Sequence, residues 1–491
     1  MTSARETSSF DLKDDALHTE EAMGVVLNED PLWKKRESRV LRKLDIFIGP
    51  YLAVLMILSH LDRSNIGFAT TQGMAVDIGL YGNRLNIAVS IFYVFYVLVE
   101  IPAAMLVKRL RFDLAIPGVA VAWGVICLCN GFVNNFAGLV VCRLLLGFFE
   151  GVLFPANILM MANWYTREEL GKRLGFLFVA LALASAFGGL IAFGILYMDG
   201  VSGLRGWRWL YIIEGLITVV IAFAGFWILP KDYNTAYFLN DDDRVVMRRR
   251  AELTEQYNGG QGHYTRKDFN MAVMDIKTWI HGIAQMCIMT VMLGFAVFLP
   301  VILRTGFQYS LKEAQYLTAP VFCWGGIAYL AGAWLSDKFR NRFWFVTTGA
   351  LVGIVGCCLL LASRHVSVGV QYFACYLIST ALFSCSGGNI VWTSSNSAPD
   401  GKRAATVGIL LALTNIGGII SGQIYRTADA PYFTFGHSWC LGSLAVALSG
   451  YVIMHVIYAR RETWKDQMIA EGRDFPPEDF SDRYPSYRYQ R

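Results

Sequence analysis

The chain has 491 residues, of which 55% are hydrophobic and only 16% charged, and a formal net charge of +5. A soluble globular chain carries about 25% charged residues, so this composition excludes an ordinary soluble protein and points to the bilayer as solvent. The surplus of Lys and Arg falls in short segments between apolar runs, so it reads as membrane topology and gives nucleic acid binding no support.

Residues 1–43 are polar and mixed in charge, with no short apolar stretch ahead of a small-residue cleavage site. They predict a cytoplasmic arm without a cleaved signal peptide. Apolar runs follow that can each cross about 30 Å of hydrocarbon with about 20 residues. The first six centre on 45–68, 85–106, 114–133, 136–157, 173–195 and 207–229, giving a first bundle over 44–229. A polar linker over 230–278, with DDDRVVMRRR and YNGGQGHYTRKD, is too charged to enter lipid. The second six centre on 279–302, 314–336, 344–362, 369–393, 404–425 and 438–459, giving a second bundle over 279–459, and 460–491 form a polar tail. The reading is an all-α integral membrane protein with twelve transmembrane helices in two six-helix halves. The arm and the tail, ending DFSDRYPSYRYQR, read as disordered ends. Lys and Arg gather before the first and fifth spans, after the second, eighth and tenth, and in the linker, which puts both termini in the cytoplasm.

A repeat links the halves. A loop ending GKR, a helix start and a GG pair recur at Gly171 to Gly188 and at Gly401 to Gly417. Equivalent loops in two homologous halves are the plan of many secondary transporters, whose ligand sits near the midplane between repeats.

Charged positions inside the spans come next. From Ile46 to Ser59 there are about fourteen residues, roughly 21 Å of helix, so the first span has to run on through HLDRSNIGF. That carries Asp62 and Arg63 into the membrane, where a charge needs protein or a wet cavity around it; the alternative is an interfacial pair among headgroups. Arg143 and Glu150 in RLLLGFFEG share a face of the fourth span, and an Asp62 to Arg143 pair is feasible, with a structural ion pair as the alternative. Gly147 on the same stripe allows close backbone approach. Tyr93, Tyr96 and Glu100 share a face of the second span, and Asn389, Trp392 and Asn396 a face of the tenth. Both are candidate cavity walls, or packing stripes. In the sixth span Trp207, Tyr211 and Glu214 align, the tryptophans marking the outer interface; His60 and Asn415 are further polar candidates. The ten cysteines lie in or beside apolar runs without metal spacing and read as packing residues.

These stretches together, LDRSNIG, VEIP, RLLLGFFEGVLFP, GWRWLYIIEG, LSDKFRNR and GKRAATVGILLALTNIGGIISGQIYRTADAPYF, resemble the major facilitator superfamily over residues 40–465. Within it they resemble the anion:cation symporters, especially the fungal allantoate, nicotinate and vitamin permeases. The resemblance implies the major facilitator fold, working as a monomer in the plasma membrane without cofactor or metal. It implies proton-coupled uptake of a small organic anion by alternating access, with Asp62 and Glu150 as proton-coupling acids. Arg63 and Arg143 match basic positions that neutralise those acids or meet the anion, and Asn415 a polar position of the eleventh helix facing the cavity. Tyr93, Tyr96, Asn389 and Trp392 complete the expected substrate set. Asp337, with Arg340 and Arg342, matches the superfamily's gating loop, and Glu100 and Glu214 are further gating candidates. Two departures stand out: LVKRLRFD in the first half lacks the Gly and Asp of the gating motif, and IVWTSSNSAPD replaces the WLSNN-type run of the tenth span.

Rival readings have less in the sequence. A drug-exporting antiporter would carry a GP motif in the fifth helix, where ALALASAFGGLIAFG has no proline, and a sugar porter would carry a PESPR-like run where LPKDYNTAYFL stands. A nutrient sensor on the same fold remains open. No HExxH, nucleophile elbow or phosphate loop supports an enzyme.

Overall fold

The computed structural model describes residues 31–107, 111–257, 266–339 and 341–471, together with 482, 484, 485 and 487–490. Twelve long helices cross the molecule among these residues. The first half holds α1 (Gly49–Ala69), α2 (Arg84–Val107), α3 (Phe112–Asn130), α4 (Phe136–Trp164), α5 (Arg167–Ile195) and α6 (Gly206–Ile228). The second holds α7 (Ile276–Val301), α8 (Thr318–Phe339), α9 (Arg342–Leu361), α10 (Val368–Ser395), α11 (Asp400–Ser421) and α12 (Thr434–Ala470). Side chains at the helix starts satisfy otherwise unpaired main-chain amides: Asn135 accepts from Gly138 N at the head of α4, and Asn341 from Trp344 N at the head of α9. Large apolar side chains such as Leu98, Val125, Phe223, Trp227 and Trp334 point outward, as expected of helices whose solvent is hydrocarbon.

Packing repeats between halves. α2 lies on α4 and α3 on α6, while α8 lies on α10 and α9 on α12; α1 packs on α5 and α7 on α11. The GKR repeat acquires a structural meaning here. Arg173, near the head of α5, grips Asp45 just ahead of α1 with both arms at 2.6 and 2.7 Å. Lys402, near the head of α11, holds Asp275 just ahead of α7 at 2.6 Å. The same helix pair is pinned by the same kind of bond in each half.

The halves meet through α1 with α7, α2 with α11 and α5 with α8. At the face away from the termini this contact is close. Asn86 Nδ2 donates to the carbonyls of Gly422 and Tyr425, Ser90 to that of Ile419, and Gln315 to Thr71 Oγ1. A Cβ on Gly67 of α1 would lie 1.9 Å from the Val297 carbonyl oxygen of α7, so only glycine permits this approach. Gly147 does the same within the first half, against the Phe92 carbonyl at 2.2 Å.

At the face bearing the termini, charge clusters form within each half. The helix Pro31–Phe47 and the linker helix Asp241–Tyr257 are bound together by Arg39 and Lys43 on Asp243 and by Arg250 on Glu37 and Glu169. On the other half Asp275 and the tail residue Asp482 share Lys277, Lys402 and Arg461. Two expectations are corrected. The end of the arm, 31–47, is helical because its basic side chains find linker carboxylates. The described tail residues pack against the second half: Tyr487 OH donates to the Ser395 carbonyl, and the Tyr489 ring packs at a tilt on Tyr458. The linker, too, is partly helical, over Asp241–Tyr257 and Arg266–Val273.

Candidate functional site

A cavity opens between the halves, with about 1010 Å³ of empty space when the open solvent at its mouth is included. The first half contributes Ser59, His60 and Arg63 of α1, Tyr96 of α2 and Phe154 of α4; the second contributes Gln285 and methionines 289 and 292 of α7, Ser386 of α10, and Thr414 and Asn415 of α11. Among the described wall residues Arg63 is the one with a formal charge.

Arg63 is held from three sides. Its Nε donates to Glu150 Oε2 at 2.9 Å, its Nη2 to Ser59 Oγ at 3.1 Å, and its guanidinium lies over the Tyr96 ring at 4.8 Å and the Phe92 ring at 5.5 Å. Ser59 Oγ donates in turn to Glu150 Oε2 at 2.8 Å, while Glu150 Oε1 has no hydrogen-bond partner. The carboxylate is thus tied down through one oxygen. An anion entering the cavity meets a preorganised cation backed by two aromatic faces, an arrangement that stabilises a guanidinium while leaving donors available.

The neighbouring Asp62 faces elsewhere, because successive residues of an α-helix point about 100° apart. Its carboxylate accepts from Trp123 Nε1 at 2.5 Å and Cys127 Sγ at 3.0 Å, both on α3. The feasible Asp62 to Arg143 pair takes a different form: Arg143 Nη1 reaches the Asp62 main-chain oxygen at 3.4 Å and Nη2 the Tyr211 hydroxyl at 3.0 Å. Arg143 is buried within the first bundle. Glu214 lies beside Asp62, linked through Asn65.

The remaining sequence candidates divide. Tyr96 and Asn415 stand on the cavity wall. Asn415 Nδ2 also donates to Glu100 Oε2 at 2.6 Å across the halves. Tyr93 is buried against Gly418 of α11. Asn389 lies behind the wall: its Oδ1 is 2.7 Å from His281 Nδ1, and its Nδ2 donates to Gln285 Oε1 at 2.9 Å. Trp392 and Asn396 turn toward the tail and both donate to the Gln490 carbonyl at 2.8 Å. Trp207, read as an interfacial residue, is fully buried and donates to Asp77 at 2.8 Å. Arg342 Nη1 donates to Ser336 Oγ at 3.2 Å. Residue 340 and the side chain of Asp337 lie outside the described residues. Sequence reasoning missed Gln285, Ser59 and Ser386. A signal existed for the first, since His281 and Gln285 stand four apart in an otherwise apolar span.

In the cluster that holds the tail, burial opposes ionisation of Asp275, but Lys277, Lys402 and Arg461 outweigh it and hold the carboxyl at about 2. Burial is likewise overcome at Asp482, where Lys277 and Lys402 keep the carboxyl below its usual range.

Two pseudo-symmetric bundles around a central cavity, sealed on one face, make the architecture of a secondary transporter. The sequence pattern of the Major Facilitator Superfamily matches residues 52–422, and the chain belongs to that family of membrane transporters. An uncharacterised transporter of Schizosaccharomyces pombe is 37% identical over 455 residues, 93% of this chain and 90% of the relative. The high-affinity nicotinic acid transporter of Saccharomyces cerevisiae is 32% identical over 492 residues, covering 98% of this chain and 90% of its own. Among solved structures, the unoccupied inward-facing form of a bacterial homologue of the human lysosomal transporter Spinster superposes with a TM-score of 0.66 at 15% identity, over 83% of this chain and 96% of its own. A D-xylose-proton symporter gives 0.63 at 14% identity, over 83% and 97%. These structural likenesses concern the fold.

Proposed function

We propose that this transporter takes up a small organic anion together with protons, and that Arg63 is the residue that meets the anion. One observation carries the reading: among the described residues the cavity wall holds a single cation, paired with a carboxylate one of whose oxygens has no hydrogen-bond partner. The likeness to a nicotinic acid transporter supports a small carboxylate such as nicotinate as cargo, and the ring of Tyr96, on the cavity wall beside Arg63, suits a planar ring.

In this reading the termini are cytoplasmic, the membrane is the plasma membrane, and the arrangement described faces inward. From the outward state an anion competes with Glu150 for Arg63. A buried carboxylate deprived of its cation takes up a proton rather than remain charged. Cargo neutralises Arg63 and the proton neutralises Glu150, so the interior closes without uncompensated charge. After reorientation the anion leaves to the cytoplasm, Glu150 releases its proton, and the ion pair re-forms. Binding drives the cycle only through a difference in affinity between the two states, and here that difference lies in whether Arg63 is paired with Glu150 or with cargo. Asp62 is the second acid of the coupling path.

Cells expressing the protein are given labelled nicotinate and a panel of other carboxylates at acidic and neutral outside pH, with and without a protonophore. Acid-stimulated accumulation that collapses with the protonophore is expected. Lower accumulation than in control cells would instead make it an exporter, and absence of flux with an intact growth response would make it a sensor.

A further inference from the structure

The mechanism above uses Arg63, Glu150 and Asp62 and leaves a third buried acid unused. Glu214 of α6 is buried beside Asp62 of α1, and one side chain bridges them: Asn65 Nδ2 donates to Asp62 Oδ1 at 3.5 Å and to Glu214 Oε2. Neither carboxyl has a cation within ion-pair distance among the described residues. Arg143 spends Nη1 on the Asp62 main-chain oxygen and Nη2 on Tyr211, and Arg63 pairs with Glu150.

The groups around the pair come from four helices. α3 supplies Trp123 and Cys127, whose N–H and S–H point at Asp62. α4 supplies Arg143, and Glu150 beyond it; α6 supplies Tyr211 and Glu214; α1 supplies Asn65, with His60 and Arg63 facing away toward Ser185 and the cavity. Among the described residues, Glu214 Oε1 and Asn65 Oδ1 are buried without a hydrogen-bond donor. Two carboxylates side by side in a site of low polarity repel each other strongly, and such pairs hold one proton between them. A proton on Glu214 Oε1 would also convert an orphaned acceptor into a donor for a neighbouring oxygen.

We infer that Asp62 and Glu214 form a two-carboxyl proton site, screened from the cavity by α1, in which Glu214 is an additional proton-binding residue of the transport cycle. The inference rests on the proton-coupled reading above and extends it. Substrate and proton are then held on different faces of one helix. Arg63 and Asp62 are consecutive residues, and Arg143 ties the Asp62 main chain to α6. A shift of α1 that accompanies anion binding at Arg63 therefore changes the spacing of the two acids behind it.

The test compares wild type with Glu214→Gln, which keeps size and hydrogen bonding but loses the acid, and with Glu214→Asp, which keeps it. Two uptake modes are read with labelled nicotinate: accumulation driven by a pH gradient, and counterflow against unlabelled nicotinate, which needs no net proton movement. For Glu214→Gln the accumulation ratio should fall well below that of wild type, toward what coupling through Glu150 alone supports, with counterflow retained and Glu214→Asp partly restored. Asp62→Asn with Glu214→Gln should be no worse than either alone, since the two act as one site. Wild-type accumulation across its full pH range in Glu214→Gln would overturn the inference while leaving proton coupling intact. Wild-type accumulation indifferent to protonophore would instead overturn the coupled reading itself. A readout independent of cargo and of cell-surface expression is the infrared C=O band of a protonated carboxylic acid in the purified protein. It should be present in wild type at neutral pH and lost in Glu214→Gln, and its persistence in that variant would assign the proton elsewhere.

Discussion

The centre of the first half is ionic, with Asp62 and Arg63 on α1 and Arg143, Glu150 and Glu214 on α4 and α6 beside it, whereas the same depth of the second half is built from His281, Gln285, Ser386 and Asn389. The two halves share helix packing and the pinning bond of α5 to α1 and α11 to α7, so the difference lies in chemistry laid on a common frame. An ionic centre can change its net charge when a proton or an anion arrives. Apart from the His281 imidazole, the second half's centre is built from neutral amide and hydroxyl groups, which are suited to orient a ligand by hydrogen bonds of fixed geometry. In the proposed cycle, this division gives charge handling to one half and recognition of shape and polarity to the other.

The sharpest way to break this comparison is to remove the cation from the ionic half. Arg63→Gln strands Glu150 and deprives cargo of its partner, and loss of one member of a buried charge pair costs about 2–5 kcal/mol. Nicotinate uptake should fall by roughly a hundredfold with normal surface expression, and unchanged uptake would place anion recognition elsewhere. Next in size is the reverse experiment, which imports charge into the amide half. Gln285→Glu adds an anion to the wall opposite Arg63, and the concentration for half-maximal uptake should rise about tenfold at neutral pH and recover as the medium is acidified. A flat pH response would remove Gln285 from the cargo path.

A smaller effect is expected behind the wall. Asn389→Ala leaves His281 and Gln285 without their shared partner, a loss of about 1–3 kcal/mol that should lower the melting temperature of the purified protein by several degrees while changing uptake only a few-fold. A complete loss of uptake would instead put Asn389 at the cargo. The smallest expected effect concerns pH at the tail cluster. Asp275 and Asp482 are both held below the usual carboxylate range. Carboxyls lowered by folding stabilise fully above the unfolded value of about 3.9 and lose that contribution as pH falls through the folded one, which for Asp275 is about 2. Docking of the tail, followed by protease resistance of the purified protein, should therefore be unchanged between pH 5 and 8.

Much of this frame was legible in the chain. Apolar run lengths and the GKR repeat give twelve helices in two related halves, and the shortness of the run before Asp62 places that residue inside the protein. The direction in which each charge points was not legible. Asp62 and Arg63 are neighbours in sequence but face α3 and the cavity respectively, and only the positions of Trp123 and Tyr96 decide which faces which. Spacing placed Asn389, Trp392 and Asn396 on one stripe. It could not reveal that this stripe changes partners along its length, from Gln285 to the tail carbonyl of Gln490. Docking of the tail depends on Lys277 and Lys402 meeting Asp482 from distant parts of the chain, for which YPSYRYQR carries no periodic signal.

The seal at the face away from the termini has a consequence for how conditions act on the transporter. It is made by Gly67 against the Val297 carbonyl and by amide and hydroxyl bonds to main-chain oxygens, while the ion clusters sit at the other face. Dissolved salt screens exposed charges over about 10 Å at 0.1 M, but it has little hold on a backbone contact between uncharged groups. Opening of that face should thus be nearly blind to the ionic strength of the medium it meets, and responsive to whatever pries two helix backbones apart.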